Sequence, residues 1–308
     1  MAPGWGFRRP PHAFVLTEDR LVHVSLPREA RGTAAGARVA SRPLPEGTFR
    51  PGAAGVPIAG PGLLQALSAL VSGKERIAAA SLAIPDAFVR SAVVDVEPGI
   101  EKNARELAEV VRWKVGRLWG DPVPALRVSW CPAGKAADGG PRFLVLAAAE
   151  ETVASCEAAF VARGVRIGAI EPAALAFSAL ASASLAGTGL VVFTDGPSVT
   201  TVYLDGGAVR FLRTREVAFD PDLALQEVRL SASFVGGDPG DGPGLDVASA
   251  VAAAPDSSPV TARLRAFREE SGGPAPLSIA RALRERGVPL GGEDSAPLVG
   301  LGLLLGEE

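Results

Sequence analysis

The chain has 308 residues, of which 47% are hydrophobic and 21% are charged, and its formal net charge at pH 7 is −3. This length allows two domains, and the balance of apolar and charged residues is that of a soluble globular protein. A small negative charge without a dense run of Lys and Arg argues against a nucleic-acid-binding protein.

The two ends of the chain predict neither a signal peptide nor a membrane span. The stretch MAPGWGFRRPPHAF has two arginines without the apolar run that a signal peptide requires. The apolar run APLVGLGLLLG is shorter than the ~20 residues that span a bilayer, and it predicts a buried helix. Cys131 and Cys156 are predicted to be free thiols in a reducing compartment. These features predict a cytoplasmic protein without direct membrane insertion.

The first part of the chain predicts a pair of strands, a helix and a buried strand. Residues 13–25, AFVLTEDRLVHVS, indicate two strands joined by a short polar turn. A connection rich in Gly, Pro and Arg continues to about residue 60. After it, LLQALSALV predicts a helix and RIAAASLAIP predicts a buried strand.

Residues 86–170 predict a small α/β subdomain. FVRSAVVDVE alternates as a strand does, and apolar residues in 101–119 fall at helical spacing. ALRVSWC and RFLVLAAA are predicted to pair as strands across an exposed glycine-rich loop. EETVASCEAAFVARG then predicts a helix that ends at Gly164. VRIGAIEP and AALAFSALASASL close the block as a strand and a helix.

The opening pattern returns at Leu190, where LVVFTDGPSVTTVYLDGGAVRFLRTREV predicts three strands joined by two turns. Helices are predicted over 222–235 and near 259–270 and 277–287. Because each half opens with a β-meander, we predict a duplicated α/β fold. Its predicted parts are a first domain of residues 1–85 and 171–188, an inserted subdomain of 86–170, and a second domain of 189–308.

This order of elements resembles the actin-like ATPase superfamily, whose duplicated fold is ribonuclease H-like. Within it, the chain is similar to PilM-type type IV pilus assembly proteins. The resemblance covers residues 13–230 well and 231–308 only loosely. Three stretches carry it: LLQALSALVSGKERIAAASLAIPDAFVRSAVVDVE, the subdomain with its exit helix, and the hairpin continuation LDGGAVRFLRTREV. The order of many weak motifs, rather than any single motif, supports the family.

Members of the superfamily hold ATP with Mg between two hairpin turns and a late glycine pair. The turn N–H groups meet phosphate oxygens, and acidic side chains order the waters of the metal. The first turn here, VLTEDRLVH, offers the acids Glu18 and Asp19 and no glycine. In the second turn, the resemblance identifies a vestigial phosphate site at Asp195, Gly196, Ser198 and Thr200.

Several substitutions oppose a working nucleotide site. Pro197 lacks an N–H, and Asp195 is displaced by one position, which turns its side chain to the other face of the strand. In place of the late glycine pair, residues 255–259 read PDSSP, which predicts a helix N-cap followed by proline. The sequence therefore predicts a non-catalytic protein without a cofactor. Weak binding of ATP with Mg is the alternative.

Other candidate chemistry has little support in the sequence. The two histidines lack Cys, Asp or Glu at ligand spacing, so no metal site is predicted. No nucleophile elbow is present. Trp113 and Trp119 are predicted either as core residues or as anchors for a partner, and Arg213 and Arg215 are predicted to be solvated.

The resemblance implies a non-catalytic cytoplasmic scaffold of the type IV pilus inner-membrane assembly platform. It implies that the N-terminal cytoplasmic tail of a PilN-type single-span membrane protein docks between the first domain and the inserted subdomain. Such a tail would combine main-chain hydrogen bonds with apolar pockets. The AIPDAFV step is expected to line that groove, which gives four candidate contacts: Ile84, Pro85, Phe88 and Val89.

Further expectations follow from the same resemblance. Other components of the pilus platform are implied partners, and the chain is expected at the inner membrane only through partner proteins. Self-association stays open. The alternatives are a type II secretion platform component of the same fold and an active actin-like ATP-binding protein.

Overall fold

The computed structural model describes most of the chain. The described residues are 10–27, 34, 36–52, 55–72, 76–120, 125–136, 139–236, 250–285, 288, 290 and 295–305. The strands are β1 His12–Leu16, β2 Arg20–Ser25, β3 Arg38–Pro43, β4 Phe49–Pro51, β5 Pro57–Ala59, β6 Ala79–Ile84, β7 Val89–Asp95, β8 Leu126–Lys135, β9 Pro141–Ala149, β10 Arg166–Pro172, β11 Gly189–Asp195, β12 Ser198–Asp205, β13 Ala208–Glu216 and β14 Val251–Ala254. The helices are α1 Pro61–Val71, α2 Ala104–Trp119, α3 Glu150–Val161, α4 Ala173–Ser182, α5 Pro221–Gly236, α6 Pro259–Glu270, α7 Ile279–Glu285 and α8 Ala296–Leu305.

The first half is built on a five-stranded sheet with the order β10-β6-β1-β2-β3. β1 and β2 form an antiparallel hairpin, and β6 and β10 add in parallel on the other side. Successive side chains of a strand point to opposite faces. Phe14 and Leu16 accordingly pack in a core with α1 and α3, and Ala13 and Val15 pack in another with α4 and α8. Both faces of β1 are therefore buried.

The second half repeats this plan in a four-stranded sheet with the order β13-β12-β11-β14. β11 and β12 form the hairpin, and β14 runs parallel to β11 as β6 does to β1. Val191 and Phe193 enter the same core as Ala13 and Val15. Phe177 on α4 meets Phe193 with ring centroids 5.6 Å apart, so α4 joins the two halves. The predicted duplication is confirmed.

The inserted subdomain is smaller than the predicted 86–170. Its sheet, β7-β9-β8, packs on α2 through apolar residues at helical spacing, among them Leu107, Val111 and Val115. β10, by contrast, pairs with β6 in the first sheet. The ring of Phe160 on α3 packs edge-on against that of Phe14 in the core of the first domain, with ring centroids 5.0 Å apart. The subdomain sheet and its helix therefore lie within residues 89–149.

The last helix also departs from the predicted boundaries, which assign it to the second domain. α8 packs against α4 and against β1 and β2 of the first sheet. Its residues from Ala296 to Leu303 are all buried, so it requires apolar neighbours on every side. The space between α4 and the first sheet provides them. None of the helices in the described part of the chain is both long and apolar enough to cross a membrane.

Candidate functional site

The tip of the first hairpin faces the cleft between the two halves. The turn is closed by the Thr17 N–H, which donates to the Arg20 carbonyl at 3.0 Å. The Arg20 guanidinium lies 3.0 Å from the Asp19 carboxylate, and its hydrogen bonds lower the pKa of that carboxyl. Glu18 is exposed beside it. The predicted tight turn with an acidic tip is confirmed.

The second hairpin brings its tip against the first. Asp195 pairs with Ser198, which leaves Gly196 and Pro197 as a two-residue turn. Gly196 has a φ of +55°, as the first central position of a type II′ turn requires. A Cβ placed on Gly196 would lie 2.8 Å from the Glu18 carboxylate. The acid of the first turn therefore lies directly over the glycine of the second.

A further acidic residue, which the sequence analysis missed, lies at the base of the cleft. Asp86 is 1% exposed, and its Oδ1 accepts a hydrogen bond of 2.9 Å from the Ala174 N–H at the start of α4. Its Oδ2 accepts no hydrogen bond of good geometry, although the Thr200 hydroxyl acts on the carboxyl and lowers its pKa. Burial outweighs these contacts and raises the pKa of Asp86 to about 6. The sequence signal that could have identified Asp86 is its position as the one charged residue in the otherwise apolar stretch AIPDAFV.

Asp195 is the most perturbed acid of the cleft. Burial, together with the negative charges of Asp86, Glu18 and Asp19, raises its pKa to about 7. Among the described residues, neither Asp195 nor Asp86 forms an ion pair with Lys or Arg. The cleft therefore concentrates negative charge, which partial protonation of Asp195 relieves only in part at neutral pH.

The hydroxyl groups of the second hairpin are used inside the fold. Ser198 and Thr200 are buried, and the Thr200 hydroxyl shares a 2.9 Å hydrogen bond with that of Thr214. The Thr194 hydroxyl donates to Ser258 at 3.0 Å. Ser258 in turn accepts from the Val260 N–H at 3.2 Å and caps α6, as PDSSP predicts.

These residues do not fit a nucleoside triphosphate. The Glu18 carboxylate contacts the turn glycine where phosphate oxygens would have to approach, and like charges repel. Pro197 offers no N–H, and a capping serine stands in place of a glycine pair. Ser198 and Thr200, predicted as vestigial phosphate contacts, lie in the buried part of the sheet.

A groove lies between the first domain and the inserted subdomain; we call it the subdomain groove. It has a volume of about 250 Å³, and the ends of β6 and β7, parts of β8 and β9, α3 and all but the first residue of β10 line it. Ile84 and Val89 are on its wall, as expected. Pro85 and Phe88 do not line it. Pro85 is buried, and the ring of Phe88 packs edge-on against that of Phe49, with ring centroids 5.2 Å apart. The AIPDAFV step bends at its proline, so only part of it faces the groove.

Two strand edges border the subdomain groove. β10 is outermost in the five-stranded sheet and β8 is outermost in the subdomain sheet, so within the described part of the chain each has one edge without a strand partner. Arg127 on β8 bridges two residues of α3: its Nε donates to Glu150 at 3.0 Å, and its Nη1 donates to Glu157 at 2.6 Å. The sequence did not reveal this cluster, because β8 and α3 are separate elements of the chain.

Comparison with known proteins identifies the fold. No family model and no curated protein matches the sequence. A chain of the PilM–PilN type IV pilus biogenesis complex is similar with a TM-score of 0.67 at 17% identity, over 97% of this chain and 98% of that one. A Bacteroides thetaiotaomicron protein with an actin-like ATPase fold and unknown function is similar with a TM-score of 0.52 at 8% identity, over 90% and 95%. This chain has the actin-like fold.

A third solved structure is similar over most of its length. It is the cytoplasmic domain of EpsL, an inner-membrane component of the type II secretion system of Vibrio cholerae, with a TM-score of 0.49 at 12% identity, over 91% of this chain and 95% of that one. The fold class predicted from the sequence is confirmed, and so is its likeness to the PilM fold.

Proposed function

We propose that this chain is a non-catalytic scaffold of a type IV pilus assembly platform that binds the N-terminal tail of a PilN-type membrane protein in the subdomain groove. The observation that carries the proposal is this groove, on a fold that matches a chain of the PilM–PilN complex over nearly the whole of both chains. On this proposal the protein is cytoplasmic and reaches the inner membrane through its partners.

The groove has the chemistry that an extended peptide needs. The outer edges of β8 and β10 carry main-chain donors and acceptors, which a peptide strand can use by β-addition. Apolar side chains on the wall, such as Ile84, Val89 and Ile170, form pockets for alternate side chains of that strand. Glu157 and Arg127 add charged groups that can fix its direction.

The cleft supports a role without catalysis. Glu18 over Gly196, the buried hydroxyl groups and the raised pKa of Asp195 all oppose a bound triphosphate. The two halves are already held together by direct contact of their hairpin tips and by α4. The protein therefore has no structural need of a nucleotide to close the cleft.

Filling the groove is expected to abolish tail binding. Gly168 lines it on β10, and a Cβ placed there would meet only the Ala80 carbonyl, at 4.0 Å. The side chain added by Gly168→Leu should therefore fill the volume that a bound peptide would occupy, without straining the fold of the protein. We expect at least tenfold weaker binding of a synthetic PilN-type tail, about 1.4 kcal/mol, by calorimetry.

Ala162→Leu is the matched control, since it adds similar bulk at an exposed position beyond the end of α3 and outside the groove lining. It should leave the affinity unchanged, and both variants should melt as the wild type does. Undiminished tail binding by Gly168→Leu would place the peptide elsewhere.

Mg-ATP is expected to have little effect on thermal stability. If the dissociation constant is millimolar or weaker, ligand at millimolar concentration adds only ~0.4 kcal/mol of stability. For a protein of this size we expect a rise in melting temperature of about 1 °C. The measurement is a thermal melt with Mg-ATP, with Mg²⁺ alone as the control. A rise of several degrees that requires the nucleotide would contradict the non-catalytic proposal.

A further inference from the structure

A second groove separates the inserted subdomain from the second domain; we call it the basic groove. Its volume is about 610 Å³, and β7 and β13 form its two sides. The Ser91 hydroxyl on β7 donates a 2.6 Å hydrogen bond to the Leu212 carbonyl on β13, which joins the two sides at one point. Both strands are outermost in their sheets.

Arginine dominates the charge of this groove. Arg90, Arg213 and Arg215 line it together with a single carboxylate, Glu216. Arg213 and Arg215 share one further acid, Glu227, at 2.9 and 3.9 Å. The Nε of Arg213 is buried without a hydrogen-bond partner. The three guanidinium groups outnumber these two carboxylates by one, so the groove has a small excess of positive charge in a chain with a net charge of −3.

Aromatic side chains lie at the same groove. Phe234 at the end of α5 is 68% exposed and packs against Phe211, with ring centroids 5.3 Å apart. Trp119 at the end of α2 lines the groove as well. Arg, Trp and Phe are enriched where protein interfaces concentrate their binding energy.

We propose that the basic groove binds an acidic, extended segment of a partner protein. Its carboxylates would pair with Arg213 and Arg215, whose planar guanidinium groups bind carboxylates in a bidentate manner. An apolar side chain of the segment would pack against Phe234 and Trp119. The excess of guanidinium groups over carboxylates in the groove, in a protein with a net charge of −3, is complementary to such a segment.

The segment would contact the inserted subdomain and the second domain together. Val89 lines both the basic groove and the subdomain groove, so the two sites lie on either side of β7. The inference does not depend on the proposed function, because neither the cleft nor the subdomain groove contributes its charge.

The probe is a phage-displayed library of random dodecapeptides, selected on the wild-type protein and depleted on a protein carrying Arg215→Glu and Phe234→Ala. We expect the retained peptides to be rich in Asp and Glu around one aromatic or leucine residue. In fluorescence anisotropy, each single variant should weaken their binding at least tenfold, and added salt should weaken it further. Arg215→Gln, a milder change, should weaken it less than Arg215→Glu.

Matched controls lie outside the groove. Arg105→Glu makes the same charge change on the exposed face of α2, and Leu223→Ala truncates an exposed residue at the other end of α5. Both, and Gly168→Leu, should leave binding unchanged. Equal loss with Arg105→Glu, retained peptides that are neutral or basic, or no peptide that depends on Phe234 would overturn the inference. Self-association of the wild type that Phe234→Ala abolishes in analytical ultracentrifugation would instead assign the surface to a second copy of the chain.

Discussion

Asp195→Asn is expected to raise the free energy of unfolding at pH 8 by on the order of 2–4 kcal/mol. The pKa of Asp195 is raised from 3.8 to about 7 by burial and by the neighbouring acids Asp86, Glu18 and Asp19. Above that pH the folded protein contains a partly buried carboxylate among other carboxylates, and an amide of the same shape carries no charge. The measurement is urea denaturation across a pH series.

The direction of the pH dependence follows from proton binding. Between pH 3.8 and about 7 the folded protein holds the Asp195 proton more tightly than the unfolded chain does. Raising the pH through this window therefore removes stability, and above it both states are ionised and the full penalty remains. Asp86, whose pKa is raised to about 6, also makes stability fall as the pH rises, and this contribution remains in Asp195→Asn. Asp195→Asn should thus flatten the pH profile without abolishing it.

Glu46→Gln removes an exposed carboxylate outside the cleft and is the control for loss of one negative charge. It should leave both the stability and its pH profile close to those of the wild type. Identical pH slopes for Asp195→Asn and the wild type would show that the cleft does not hold this proton.

The elements predicted best from the sequence are those determined by neighbouring residues. Apolar or alternating runs separated by short polar turns identified both hairpins, and glycine before proline identified the turn at Gly196. The cap at Ser258 was recognisable because serine before proline is a local signal. The duplication followed from the repeated order of strands and turns.

What the sequence did not predict depends on contacts between distant residues. Asp86 accepts its hydrogen bond from Ala174, which is 88 positions away. Arg127 pairs with Glu150 and Glu157 on a helix 23 and 30 positions further on. No spacing rule links such positions, because the pairing exists only after β9 and α3 have packed.

The same reason explains why the sheet that β10 joins, the packing of α8 and the lining of the groove differ from the predicted ones. A strand such as β10 carries apolar residues whichever sheet it joins, and its pairing with β6 is determined by tertiary contacts. α8 is apolar on all sides, so its sequence does not state which half covers it. Phe88 is an apolar residue that could line a groove, but the 3₁₀ turn over Asp86–Phe88 places its ring against Phe49.

Gly302→Ala is expected to destabilise the fold by roughly 1–3 kcal/mol or more, despite lying within a helix. Helix propensity alone would favour alanine over glycine by ~1 kcal/mol. A Cβ at Gly302, however, would overlap the Ala176 carbonyl of α4, which is backbone and cannot rotate away. The close approach of α8 to α4 therefore depends on the missing side chain.

Gly300→Ala in the same helix separates packing from propensity. Its Cβ would meet the side chain of Val24 rather than a backbone atom, so a smaller loss is expected. Because α4 also contacts Phe193 of the second half through Phe177, Gly302→Ala should lower a single melting transition shared by both halves. A melting temperature at or above that of the wild type would mean that α8 does not pack on α4 in solution. A loss confined to a separate early transition would mean that α8 stabilises the first domain alone.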